Sequence, residues 1–116
     1  MIKKAQDMEK EIREKMRGGK GHVEILKLLS EQDIKAKTRL FAKLTLQPGC
    51  SIGYHEHAGE DEIFYILKGE GRVNDNGTMK QVNAGDVVLT GNGAGHAIEN
   101  IGDTPLEVLA IILLCS

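Results

Sequence analysis

The chain has 116 residues, 41% of them apolar and 28% charged, with a formal net charge of −2. That length suits one domain, and the apolar share excludes a disordered chain. The near-neutral balance lacks the basic footprint that nucleic acid or an anionic membrane would attract, so neither is an expected partner.

There is no Trp, and aromatic residues are only 3%, so the core must be built from Ile, Leu, Val and Ala. Fourteen Gly against two Pro suggest many tight turns, as an all-β domain needs. Cys50 and Cys115 lie far apart and form no CxxC pair. The charged N-terminus carries no signal-peptide pattern, and the apolar run from Val108 to Leu114 is too short to span a bilayer. The expected location is the cytoplasm, with both thiols reduced.

In chain order, residues 1–22 read as an N-terminal arm and 23–116 as a barrel domain. Ala5, Met8, Ile12 and Met16 recur at helical spacing, and Gly18-Gly19 would stop a helix, so the arm is read as helical. A strand through Glu11 to Met16 is the alternative. The run Arg17-Gly18-Gly19-Lys20-Gly21 could fold over a barrel mouth and bring positive charge to an anionic ligand.

Val23 to Leu29 is strand-like. From Arg39 to Leu46 the chain alternates, with Leu40, Ala42, Leu44 and Leu46 on one face. Pro48-Gly49 turns, and Ser51 to His57 forms the next strand. Ala58 to Asp61 reads as an acidic loop whose Glu60 and Asp61 are solvated. Glu62 to Leu67 is strongly β. Asp75-Asn76-Gly77 is a hairpin signal. Val87 to Thr90 is a short strand, a glycine-rich loop leads to His96, and Leu106 to Leu114 closes the chain. Its last residues are apolar on both faces, which suggests a subunit contact and a homodimer.

The chemistry concentrates in the stretch GCSIGYHEHAGEDEIFYILKG. Side chains two apart on a strand share a face, so His55 and His57 can converge, with Glu62 close behind. His96 opens a later strand. Three neutral imidazoles and one carboxylate form a ligand set for a borderline divalent metal. Burying Glu62 unpaired would be costly, and a metal removes the difficulty. Alternation predicts a small apolar pocket around this point, with Phe64, Ile66, Gly53 and Ile98 facing in and Tyr54 and Tyr65 facing out; for Lys43 and Arg39 the direction stays open. His22 lies outside the pattern, Cys50 reads as buried filler and Asn100 as a turn stabiliser.

Gly49, His55, His57, Glu62 and Gly69 stand at the intervals of the first sequence motif of the cupin superfamily. Gly85, Gly93, His96 and Asn100 match the second, with Gly91 where that motif has proline. The chain therefore resembles a small single-domain metal-binding cupin. The resemblance implies an all-β double-stranded β-helix, or jelly-roll barrel, holding one divalent ion (Fe, Mn, Ni, Co or Zn) at His55, His57, Glu62 and His96. Gly91 leaves the turn before His96 less rigid. Four protein ligands leave open positions on the ion, which favours a metal-dependent enzyme acting on a small organic molecule by oxygenation, isomerisation or decarboxylation. The alternative is a non-enzymatic binding or sensing module in which the metal anchors a ligand, since no general acid or base is set by the pattern.

Overall fold

A computed structural model describes residues 1–115. Ten strands form two facing antiparallel sheets: β1 Glu9–Glu14, β2 His22–Leu29, β3 Thr38–Leu46, β4 Ser51–Glu56, β5 Glu60–Lys68, β6 Glu70–Asp75, β7 Thr78–Asn83, β8 Val87–Thr90, β9 Gly95–Asn100 and β10 Leu106–Leu114. The larger sheet runs β1-β2-β3-β10-β5-β8 and the smaller β4-β9-β6-β7. The fold is an all-β jelly-roll barrel. Among the described residues no helix is long and apolar enough to cross a membrane.

Alternation builds the core. Val23, Ile25, Ala42, Leu44, Leu46, Phe64, Ile66, Val108 and Ala110 turn inward from the larger sheet. Ile52, Val73, Val82 and Ile98 meet them from the smaller one. Leu44, Leu46, Phe64 and Ile66 have at most 2% of their surface exposed. Burying each such side chain contributes about 1.5–3 kcal/mol. Asn100 does stabilise a turn: its side-chain amide donates to the carbonyls of Leu46 and Thr104 at 2.9 and 2.8 Å. The hairpin is closed by Gly77 N–H donating to Asn74 Oδ1 at 2.8 Å.

The N-terminal segment corrects the helical expectation. Residues 9–14 form β1, an edge strand paired antiparallel with β2, so Glu11 faces Ile25 and Arg13 faces Val23 in register. Only single 3-10 turns flank it, at Ala5–Asp7 and Met16–Gly18. An open edge on β2 offers the backbone a full ladder of partners, which outweighs a stripe of four apolar residues.

The second of those turns packs against β4. Lys20 N–H donates to Ser51 Oγ and Ser51 N–H to the Lys20 carbonyl, both at 2.8 Å. Backbone lies on backbone here: a Cβ on Gly53 would overlap the Arg17 carbonyl, and one on Gly19 would overlap the Ser51 carbonyl. Gly53→Ala is therefore expected to destabilise the protein by about 1–3 kcal/mol through overpacking. Urea denaturation checks this, and an unchanged midpoint would mean that the turn can withdraw at no cost.

Candidate metal centre

The four residues picked out by the motifs meet at one point. β4 and β9 pair so that His55 stands directly opposite His96. His57 follows the end of β4, its amide donating to the Ala94 carbonyl at 3.0 Å. Glu62 comes from β5 in the other sheet. One ligand atom from each residue lies within 4.8 Å of all the others. His57, His96 and Glu62 are almost fully buried, with 2%, 1% and 5% of their surface exposed.

The second ring nitrogens explain how the imidazoles are aimed. Nδ1–H of His55 donates to the Gly53 carbonyl at 2.8 Å, and Nδ1–H of His57 to Glu60 Oε2 at 2.6 Å. A carbonyl and a carboxylate can only accept, so in the neutral imidazole each ring presents its lone pair on Nε2. The Thr90 hydroxyl, which can accept as well as donate, stands 2.9 Å from His96 Nδ1. Thr90 faces Glu62 across the β5–β8 ladder, so one strand pair positions two of the four groups. The Phe64 ring stacks on His96 with centroids 4.7 Å apart, fixing its plane.

The Nε2 atoms of His57 and His96 face each other at 3.0 Å. Glu62 Oε1 is 2.8 Å from His57 Nε2, 2.9 Å from His96 Nε2 and 4.0 Å from His55 Nε2. Donors at right angles around an ion with bonds of about 2.1 Å stand about 3.0 Å apart. Three of these separations match that edge, and the nitrogen and oxygen set suits a divalent transition metal. The residues present therefore fit a metal ion.

The acidic loop needs correcting. Glu60 lies in β5 rather than in solvent, and links His57 to Arg39, which holds it through Nε and Nη2 at 3.1 and 2.9 Å. The Arg39 guanidinium, helped by His57 and opposed by burial, holds the Glu60 carboxyl below its usual value, so it is ionised at neutral pH. Burial is the main cause that lowers the proton affinity of His55; the hydrogen bond to the Gly53 carbonyl opposes it, and the neighbouring imidazoles and Arg17 add to the lowering. Glu60 shares strand parity with Glu62, and that period of two is the signal that would have found it. Thr90 and Arg39 carry no such mark, because their partners lie on other strands.

Asp61 is also not a free loop charge. Its Oδ1 occupies the space where a side chain at position 91 would begin. Gly91, the one departure from the motif, is thus matched by a carboxylate packed against it.

The cluster opens into a cavity of about 430 Å³. Ile25, Leu40, Leu44, Ile52 and Phe64 form its apolar wall, and Arg13, Arg17, Lys27 and Arg39 stand on its charged side with Glu9, Glu11 and Glu31. Phe64 and Ile66 face inward, Ile98 is buried, and Tyr54 and Tyr65 are exposed, as alternation predicts. In β4 the register with β9 shifts by one residue between Ile52 and His55, so Ile52 lines the cavity as well as His55. The space left by Gly53 is filled by the Arg17 turn. His22 is remote on β2, Cys50 is buried and Cys115 exposed.

The fold and site together define the class: the chain belongs to the cupin family, whose domain model matches residues 42–112. It is 49% identical over 114 residues to an oxalate-binding protein of Thermotoga maritima, covering 98% of this chain and 94% of that one. The crystal structure of a predicted oxalate decarboxylase from Thermotoga maritima superposes with a TM-score of 0.93 at 49% identity, covering 98% and 99% of the two chains. The oxalate decarboxylase of Bacillus subtilis is 36% identical over 81 residues, which is 66% of this chain and 21% of that enzyme.

Glu60→Gln keeps the size of the side chain but removes the charge that orients His57. Metal affinity, measured by competition with a chelating dye, is expected to fall about 10–100-fold with the thermal midpoint of the apoprotein little changed. Unchanged affinity would show that His57 needs no such partner.

Proposed function

We propose that His55, His57, Glu62 and His96 bind one divalent metal ion, and that the ion holds a small dicarboxylate of the oxalate class in the cavity beside it. The observation that carries this is the convergence of four metal-ligating groups on a cavity that four cationic side chains also line, Arg17 among them without an acidic partner among the described residues. A bound ion would supply Lewis acidity, binding and polarising a carboxylate. The chain's own residues do the rest. Apolar side chains such as Phe64 and Ile52 exclude water, and the strand pairs hold the imidazoles in place. The relative named for oxalate binding, matched over nearly the whole chain, supports the ligand class.

Binding is the reading the geometry supports best. Two of the acids near the site are already engaged: Glu60 with Arg39 and His57, Glu11 with Arg13 at 2.8 Å and Lys27 at 3.8 Å. Decarboxylation is the second reading, supported by the partial match to the Bacillus enzyme. Formate released from oxalate by the manganese- or iron-loaded protein would establish it.

In elemental analysis and calorimetry, the wild-type protein is expected to bind one ion and, only when loaded, oxalate. His57→Ala should lose most of the metal and the oxalate heat, whereas His22→Ala should keep both. Metal retained in full by His57→Ala would remove that residue from the ligand set.

Assembly as a homodimer belongs to the same proposal. The outer face of the larger sheet carries two cross-strand rows, Phe41-Ile111-Ile63-Leu89 and Lys43-Leu109-Tyr65-Val87. Tyr65, Val87 and Leu89 are 42%, 65% and 64% exposed. A second copy would cover this apolar surface. Sedimentation is expected to show a dimer that Val87→Glu with Leu89→Glu converts to monomer; a wild-type monomer at high concentration would rule the dimer out.

A further inference from the structure

Among the cations on the cavity wall, one is left over. Arg13 is paired with Glu11 at 2.8 Å, Lys27 lies 3.8 Å from Glu11 and 3.9 Å from Glu9, and Arg39 is held by Glu60 at 2.9 Å. Arg17 has no acidic partner among the described residues, although it lines the same cavity as His55 and His57.

Its backbone is costly. Arg17 sits at φ 55° and ψ 30°, in the left-handed region that favours glycine. Lys15, two residues earlier, is also left-handed at φ 47°. Gly18 and Gly19 stand next in the chain, so residues suited to such a turn are at hand, yet the strained position carries an arginine. The turn is pinned in place. Lys15 N–H donates to the Gly21 carbonyl at 2.8 Å and Gly18 N–H to the Lys15 carbonyl at 2.9 Å, and the Arg17 carbonyl rests against Gly53. Strain held by surrounding structure at the mouth of a site is a mark of function.

A dicarboxylate with one end at the metal would leave a second charge in a cavity walled by Leu40, Ile52 and Phe64, where an unpaired carboxylate is strongly disfavoured. We propose, on the basis of the metal-dicarboxylate reading above, that Arg17 is the specificity residue of this site: its guanidinium receives the carboxylate charge the metal leaves uncompensated and selects small dianions over monocarboxylates. A planar guanidinium matches a carboxylate with two parallel hydrogen bonds, which a point charge cannot do.

The test compares wild type with Arg17→Gly and Arg17→Lys, each loaded with Mn(II), by titration calorimetry with oxalate and with acetate. Glycine suits the left-handed turn, so Arg17→Gly is expected to melt at the same temperature or higher. Its oxalate affinity should fall by about tenfold or more, the scale of one lost charge-assisted pair. Acetate and Mn(II) affinities should stay within about twofold of wild type, and Arg17→Lys should fall between. Oxalate binding by Arg17→Gly equal to wild type would overturn the assignment while leaving the metal-dicarboxylate reading intact. Equal losses for oxalate and acetate, with a lower melting temperature, would overturn it in favour of a structural turn. A wild-type protein that takes up Mn(II) but binds oxalate no better than acetate would overturn both.

Discussion

Three imidazole nitrogens and a carboxylate oxygen turned toward one point repel one another unless a positive charge lies between them. The rest of this barrel can be understood as the apparatus that holds them there. Nδ1 of each ring is tied down, to a carbonyl, a carboxylate and a hydroxyl, so none can rotate away to relieve the crowding. The cost is met by rigidity elsewhere: the two sheets clamp an aliphatic core, and Phe64 stacks on His96 at the junction between core and site.

That arrangement joins the two sheets at the cluster. His55 and His96 are cross-strand partners in the smaller sheet, while Glu62 and the Thr90 that supports His96 are partners in the larger one. A disturbance of either ladder would be felt at the cluster. The chain from Arg39 through Glu60 to His57 extends this control to the cavity mouth, since a charged residue of β3 sets the orientation of an imidazole after β4. Outer partners of this kind tune the basicity of a ligand as well as its direction.

The cavity wall shows a second economy of charge. Most of its cations are balanced by nearby acids, so they shape the wall without leaving strong local fields. The Arg17 turn is built differently: it is strained, pinned by hydrogen bonds, and seated on a glycine of β4. An edge strand carries that turn to the mouth, so the N-terminal segment both blunts the edge of β2 and completes one side of the cavity.

The strands after β1, the inward faces of β5 and β9, and the candidate residues His55, His57, Glu62 and His96 were legible in the sequence alone, because a period of two and fixed intervals between rigid donors are local properties of the chain. Tertiary structure decided what depends on distant partners. β1 is a strand because β2 offers it an edge, not because of its own spacing. Glu60 leaves solvent because Arg39 and His57 receive it, and Gly91 is glycine because Asp61 fills its side-chain space. Ile52 reaches the cavity only through a register shift that no alternation pattern shows. Each of these follows from an energy shared between residues far apart in sequence, which becomes defined only when the sheets close.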